Sequence, residues 1–113
     1  MKLVYVAGKY SDKTLHDTFD NVRAAEKVAR DLWKEKIPCI CPHKNAEMFD
    51  DIASWKTFMD GSIEILKRCD ALLAVSNWKN SKGAKLEIKY AQKNNIPVFF
   101  KTKACVNWIN KNG

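Results

Sequence analysis

The sequence predicts an α/β protein built on a parallel sheet, and three observations carry that prediction. Lys2-Leu-Val-Tyr-Val-Ala7 and Asp70-Ala-Leu-Leu-Ala-Val75 are short, continuous apolar runs behind single charges, suited to strands covered on both faces. Segments of helical period follow them, so that strands and helices alternate. Right-handed crossovers between such strands leave few topologies. The expected architecture is a flavodoxin-like or Rossmann-like three-layer sandwich with four to five parallel strands in the order 2-1-3-4.

Each element has its own signal. Lys2 to Ala7 is the opening strand, and Gly8-Lys9-Tyr10-Ser11-Asp12 is the loop at its carboxyl end, where Gly8 permits close backbone approach. Thr14 to Lys36 reads as a long helix, because Val22, Ala25, Ala29, Leu32 and Trp33 recur at helical spacing and Asp17 and Asp20 lie near its start. Ile37 to Cys41 is a short second strand ended by Pro42. His43 to Asp51 is the longest irregular segment, of the kind that closes over ligands. Ser54 to Cys69 forms a second helix whose stripe is Trp55, Phe58, Met59, Ile63 and Leu66, with Gly61 a weak point. Pro97 to Phe100 is a fourth strand. Ala104 to Asn110 is a terminal helix whose Val106, Trp108 and Ile109 either dock on the sheet or form a dimer contact.

Composition narrows the function. With 113 residues, 46% hydrophobic and 29% charged, the chain is expected to form one soluble domain spanning 1–113. The net charge of +7 favours anionic ligands. Its lysines are spread over helix faces and the C-terminal end rather than interleaved with aromatics, which argues against nucleic acid. No signal peptide or membrane span is evident, so a cytoplasmic protein without a membrane partner is expected. Cys39, Cys41, Cys69 and Cys105 lack metal-site or secreted spacing and read as reduced thiols, and Cys41 with His43 is too little for a metal.

The candidate site lies between Asp70 and Ala91. After the apolar strand, Ser76 to Ser81 is turn chemistry, and Asn80 or Ser81 can cap the next helix. In that helix Ala84, Ile88, Ala91 and Asn95 form one side while Lys82, Lys85, Lys89 and Lys93 form the other. Glu87 sits about 60° from the centre of the apolar stripe, away from the lysines. Gly83 and the free N–H groups at the helix start favour an anion, so Ser81 to Gly83 suits recognition of a phosphate or a hydroxyl. Plainer roles fit the same residues: Glu87 as a complement to the helix dipole, Gly83 as a packing point and Ser81 as a cap alone. In the 2-1-3-4 order, the first and third strands flank the crevice where ligands bind, which brings Gly8 to Tyr10 against Ser76 to Glu87.

These residues carry a resemblance to the nucleoside 2-deoxyribosyltransferase-like superfamily, which includes nucleoside 5'-monophosphate N-glycosidases and short phage-type members. The match rests on Tyr5-Val-Ala-Gly8, on Cys69-Asp70, and on Trp78-x-x-Ser81-x-Gly83-Ala84-x-x-Glu87, and it spans nearly the whole chain. It implies cleavage of the N-glycosidic bond of a nucleoside or its 5'-monophosphate, by hydrolysis or by transfer to a second base. Glu87 would be the nucleophile, Tyr5 would orient it, and Ser81 with the Gly83 backbone would hold a 5'-phosphate. Gly8, Tyr10, His43 and Trp78 complete the expected substrate site. No cofactor or metal is implied, and a homodimer is. Where the family commonly has an aspartate eight residues before the acid that opens the third strand, this chain has Ser62. Asp60 lies roughly 200° away on that helix. Asp60, Glu64 or His43 would therefore have to serve as the acid, or the chain is a catalytically weak or inactive nucleotide-binding module.

Overall fold

The fold is seen in a computed structural model that describes residues 1–45, 49 and 51–113. Four parallel strands, β1 (Val4–Ala7), β2 (Cys39–Ile40), β3 (Ala71–Ala74) and β4 (Val98–Phe99), form one sheet in the order β2-β1-β3-β4. All three pairings are parallel, and β1 and β3 register Val4 with Ala71 through Ala7 with Ala74. The expected order is therefore observed, with four strands. Both central strands are buried at every position, as continuous apolar runs require.

Alternation along the strands divides the core into two layers. Val4, Val6, Ala71, Leu73 and Val75 face α1 (Leu15–Lys34) and α5 (Thr102–Asn112), meeting Ala25, Leu32, Cys105 and Ile109. Tyr5, Ala7, Leu72 and Ala74 face α3 (Trp55–Leu66) and α4 (Lys82–Lys93), meeting Leu66, Ile88 and Ala91. This completes the three-layer sandwich. α5 docks on its own sheet: Ile109 is buried, and Val106 and Trp108 pack against the same cluster.

The edge strands are shorter than the apolar runs suggested, two residues each instead of four or five. Only one side of an edge strand has a partner, and prolines flank both, although Val4 N–H still donates to the Pro38 carbonyl and Leu72 N–H to that of Pro97. Asp70 closes the amino-terminal end of the β1–β3 ladder, its carboxylate accepting from Leu3 N–H at 2.8 Å. Pro42 does more than end β2: it opens α2 (Pro42–Asn45), a single helical turn within the segment expected to be irregular. The rest of that segment, except Phe49 and Asp51, lies outside the described residues.

Thr14 and Ser54 cap α1 and α3 through their hydroxyls. All four cysteines are free, and burial pushes the thiols of Cys39, Cys69 and Cys105 up to about 11, leaving them protonated and unreactive. Among the described residues no helix is long and apolar enough to cross a membrane.

Candidate functional site

Glu87 is held by the packing of α4 and not by the solvated charge pattern. Ser81 caps this helix, its hydroxyl accepting from Ala84 N–H at 3.0 Å. The cap fixes the phase of the first turn, which sets Ala84, Ile88 and Ala91 against the sheet and carries Glu87 inward with them. Glu87 is 7% exposed, the deepest carboxylate among the described residues. The phenol of Tyr5, itself fully buried on β1, donates a hydrogen bond to Glu87 Oε2.

Two opposing effects set the carboxyl's acidity. Burial raises its pKa and the Tyr5 hydrogen bond lowers it; burial dominates, and Glu87 is pushed up to about 7. The Tyr5 phenol is raised well above its ordinary value, by burial first and by the neighbouring Glu87 second. Tyr5 therefore remains a donor at any ordinary pH, and Glu87 is poised between its two forms near neutrality.

α3 supplies the wall opposite. Ser62 reaches the same phenol. Gly83 lies against this helix, for a Cβ there would stand 3.1 Å from the Met59 sulfur, so the glycine lets α3 and α4 close together over the pair. Asp60 faces elsewhere, in a 2.6 Å ion pair with Lys56 on the exposed side of α3, and Glu64 is likewise exposed, bound to Lys67 and Arg68. Neither acid joins the Tyr5–Glu87–Ser62 group within this chain.

The loop leaving β1 lies at the carboxyl end of that strand, against the exit of β3. Lys9 N–H donates to Asn77 Oδ1 at 3.0 Å, which fastens the β1 exit to the β3 exit. Asn21 on α1 donates to the Tyr10 carbonyl and to Asp12, and lies beside Asn77 at 3.5 Å. Arg23, on the same helix, pairs with Glu26 at 2.9 Å. His43 is buried in α2; its Nε2 donates to the Lys9 carbonyl at 2.8 Å and its ring meets Tyr10 edge-on. Burial lowers the His43 pKa, which makes it a neutral latch and a poor proton donor. Trp78 is half-buried against the second core layer and stacks at a tilt on Phe100, 5.2 Å between ring centres.

Gly8 has a strict steric reason. A Cβ at this position would lie 2.8 Å from both Cβ and Cγ2 of buried Val75 and 3.1 Å from Asn77 Oδ1. Gly8→Ala is therefore expected to cost about 1–3 kcal/mol and to lower the melting temperature by roughly 5–20 °C, as read by thermal denaturation.

The fold thus gathers Tyr5, Ser62 and Glu87 into one group, with Ser81 and Gly83 at the start of the same helix, Gly8 and Tyr10 on the adjoining loop, and His43 latched to that loop from α2. Sequence reasoning missed Asn77 and Met59. It also placed the lysines away from aromatics, whereas the fold sets Lys79 over Trp78 at 5.9 Å and Lys82 over Trp55 at 5.0 Å.

A model of the family described as a domain of unknown function, DUF4406, matches residues 2–100. The chain belongs to the DUF4406 family. Among solved structures, the DUF4406 chain is similar to a 2-deoxyribosyltransferase from the psychrotolerant bacterium Bacillus psychrosaccharolyticus. The TM-score is 0.60 at 18% identity, covering 85% of this chain and 69% of that one. It is also similar to a conserved protein from Enterococcus faecalis V583, with a TM-score of 0.61 at 28% identity, covering 87% of this chain and 61% of that one. The resemblance seen in the sequence holds in the fold, which is that of the deoxyribosyltransferase. No curated protein matches the chain.

Proposed function

We propose that this protein cleaves the N-glycosidic bond of a nucleoside or a nucleoside 5'-monophosphate, with Glu87 as nucleophile. The observation that carries the reading is a carboxylate buried in an apolar layer, held by a buried phenol and raised to about 7. A carboxylate hidden this way is costly to the fold, and such groups concentrate where chemistry is done. The fold of the 2-deoxyribosyltransferase and the Trp78 to Glu87 motif support the same assignment.

The geometry supports a covalent route. Tyr5 holds Oε2, and ionised Glu87 attacks the anomeric carbon of the sugar through Oε1. The carbon–nitrogen bond breaks, the base leaves with its electron pair and takes a proton from water, and a glycosyl ester remains on Glu87. Attack by water on that ester frees the sugar and the carboxylate and makes the protein a hydrolase; attack by a second base would make it a transferase. In this reading the hydroxyl of Ser81, which caps α4, and the first N–H groups of that helix would take a 5'-phosphate, which leans the reading toward hydrolysis of a monophosphate. No cofactor or metal enters these steps. A homodimer is part of this reading through the resemblance alone, which implies a site completed by an adjacent subunit.

The test is release of free base from a panel of nucleosides and monophosphates by wild type and Glu87→Ala in parallel. Ser62 favours one second reading, a nucleotide-binding module that binds members of the panel and releases nothing. Tyr5→Phe separates orientation from bulk. Without the phenol, Glu87 loses the bond that lowers its pKa, so the acid limb of the pH–rate profile moves to higher pH and the neutral rate falls roughly tenfold to a hundredfold.

A further inference from the structure

The whole net charge of +7 lies after residue 70, where eight lysines face one acid, Glu87; residues 1–70 are balanced. Among the described residues, every ion pair has both partners within residues 9–68, and none of the eight lysines joins one. Four of them, Lys82, Lys85, Lys89 and Lys93, are exposed on α4 and fall within about 80° of the helix circumference. They run for about 17 Å along the axis. Glu87 lies about 140° around the helix from Lys82 and does not neutralise them.

The N-terminal end of this stripe carries aromatic rings. Trp55 is 50% exposed beneath the Lys82 ammonium, and Phe100, 48% exposed, leans on Trp78 beneath that of Lys79. A row of cations fits a linear polyanion better than a compact one, and open rings fit flat bases. An acidic polypeptide would satisfy the lysines and leave the rings unused. A single strand offers both phosphates and bases.

We propose that the outer face of α4, with Trp55 and the Trp78–Phe100 pair at its start, binds single-stranded nucleic acid. Phosphates track Lys82, Lys85, Lys89 and Lys93, and bases stack on the rings. The lysines lie on the side of α4 away from Glu87, and Trp78 alone is shared with the expected substrate site, so the proposal does not depend on the glycosidic reading.

The test is fluorescence anisotropy of a labelled 20-mer single strand with the full chain, with inorganic polyphosphate and anionic phospholipid vesicles as competitors. With three or four lysines engaged, affinity is expected to fall roughly 20- to 50-fold between 50 and 200 mM salt. The triple variant Lys85→Glu, Lys89→Glu, Lys93→Glu is expected to weaken binding by a similar factor with its melting temperature kept, since these side chains are exposed and outside the ion pairs of the described residues. Trp55→Ala and Phe100→Ala are expected to lose about fivefold or more on the strand while leaving polyphosphate binding unchanged. Three results would overturn the proposal: no binding by about 100 µM protein, the weak end of non-specific affinity; polyphosphate competing as well as unlabelled strand; or vesicles competing better than either. The competition results use wild type alone, so they decide the matter even if a variant misfolds.

Discussion

Glu87→Ala is expected to reduce release of free base by about a thousandfold or more on any nucleoside or monophosphate that the wild type accepts. Alanine leaves no oxygen to attack the anomeric carbon, and no other described carboxylate lies in the group around Tyr5. Glu87→Gln sharpens the test, because the amide keeps the size of the side chain and an oxygen to accept from Tyr5 but is not a nucleophile. If both variants lose activity equally, the ionisable carboxyl is required, and a covalent role then predicts that the wild type mixed with substrate gains the mass of a sugar, which a general base would not give. If the Glu87→Gln variant retains base release, Glu87 is not the nucleophile and the proposed reaction fails.

The second large effect is on stability. Glu87 titrates at about 4.3 in an unfolded chain and at about 7 in the fold. Between those values the native state holds a proton that the unfolded state releases. Stability from this group is therefore full below about pH 4 and is lost as pH rises through 7, a cumulative cost of about 4 kcal/mol. Glu87→Gln removes that slope, so chemical denaturation should find the variant more stable than wild type at pH 8 and no more stable at pH 4. His43 works in the opposite sense: its pKa is lowered, so its contribution is present above 6.5 and lost as pH falls. The difference between wild type and the Glu87→Gln variant cancels the His43 effect and isolates the carboxyl. A flat difference curve would mean that Glu87 is solvated.

The residue that mattered most was legible because it broke a period. Glu87 sits off the lysine side of a helix whose phase is plain from Ala84, Ile88 and Ala91, and the fold buries it. The central strands were legible for the same kind of reason, being unbroken apolar runs. Tyr5 was different: a tyrosine in a buried strand has no pattern of its own, and its role came from the resemblance alone. Asn77 gave no signal, since loop residues follow no period and its partners at Lys9 and Asn21 lie far away in sequence. Likewise, the meeting of Met59 with Gly83, or of Lys82 with Trp55, depends on how α3 and α4 approach one another, which neither helix records by itself.

The bond between Tyr5 and Glu87 spans 82 positions and ties the first strand to the fourth helix. Loop closure over such a distance is entropically expensive, so the pair cannot exist in any locally ordered fragment. Fraying at the two-residue edge strands leaves it intact, because both of its members rest on β1, β3 and α4. Competence of this pair is thus an all-or-nothing property of the central layers: a chain with β1 and α4 apart has no site at all, rather than a weaker one.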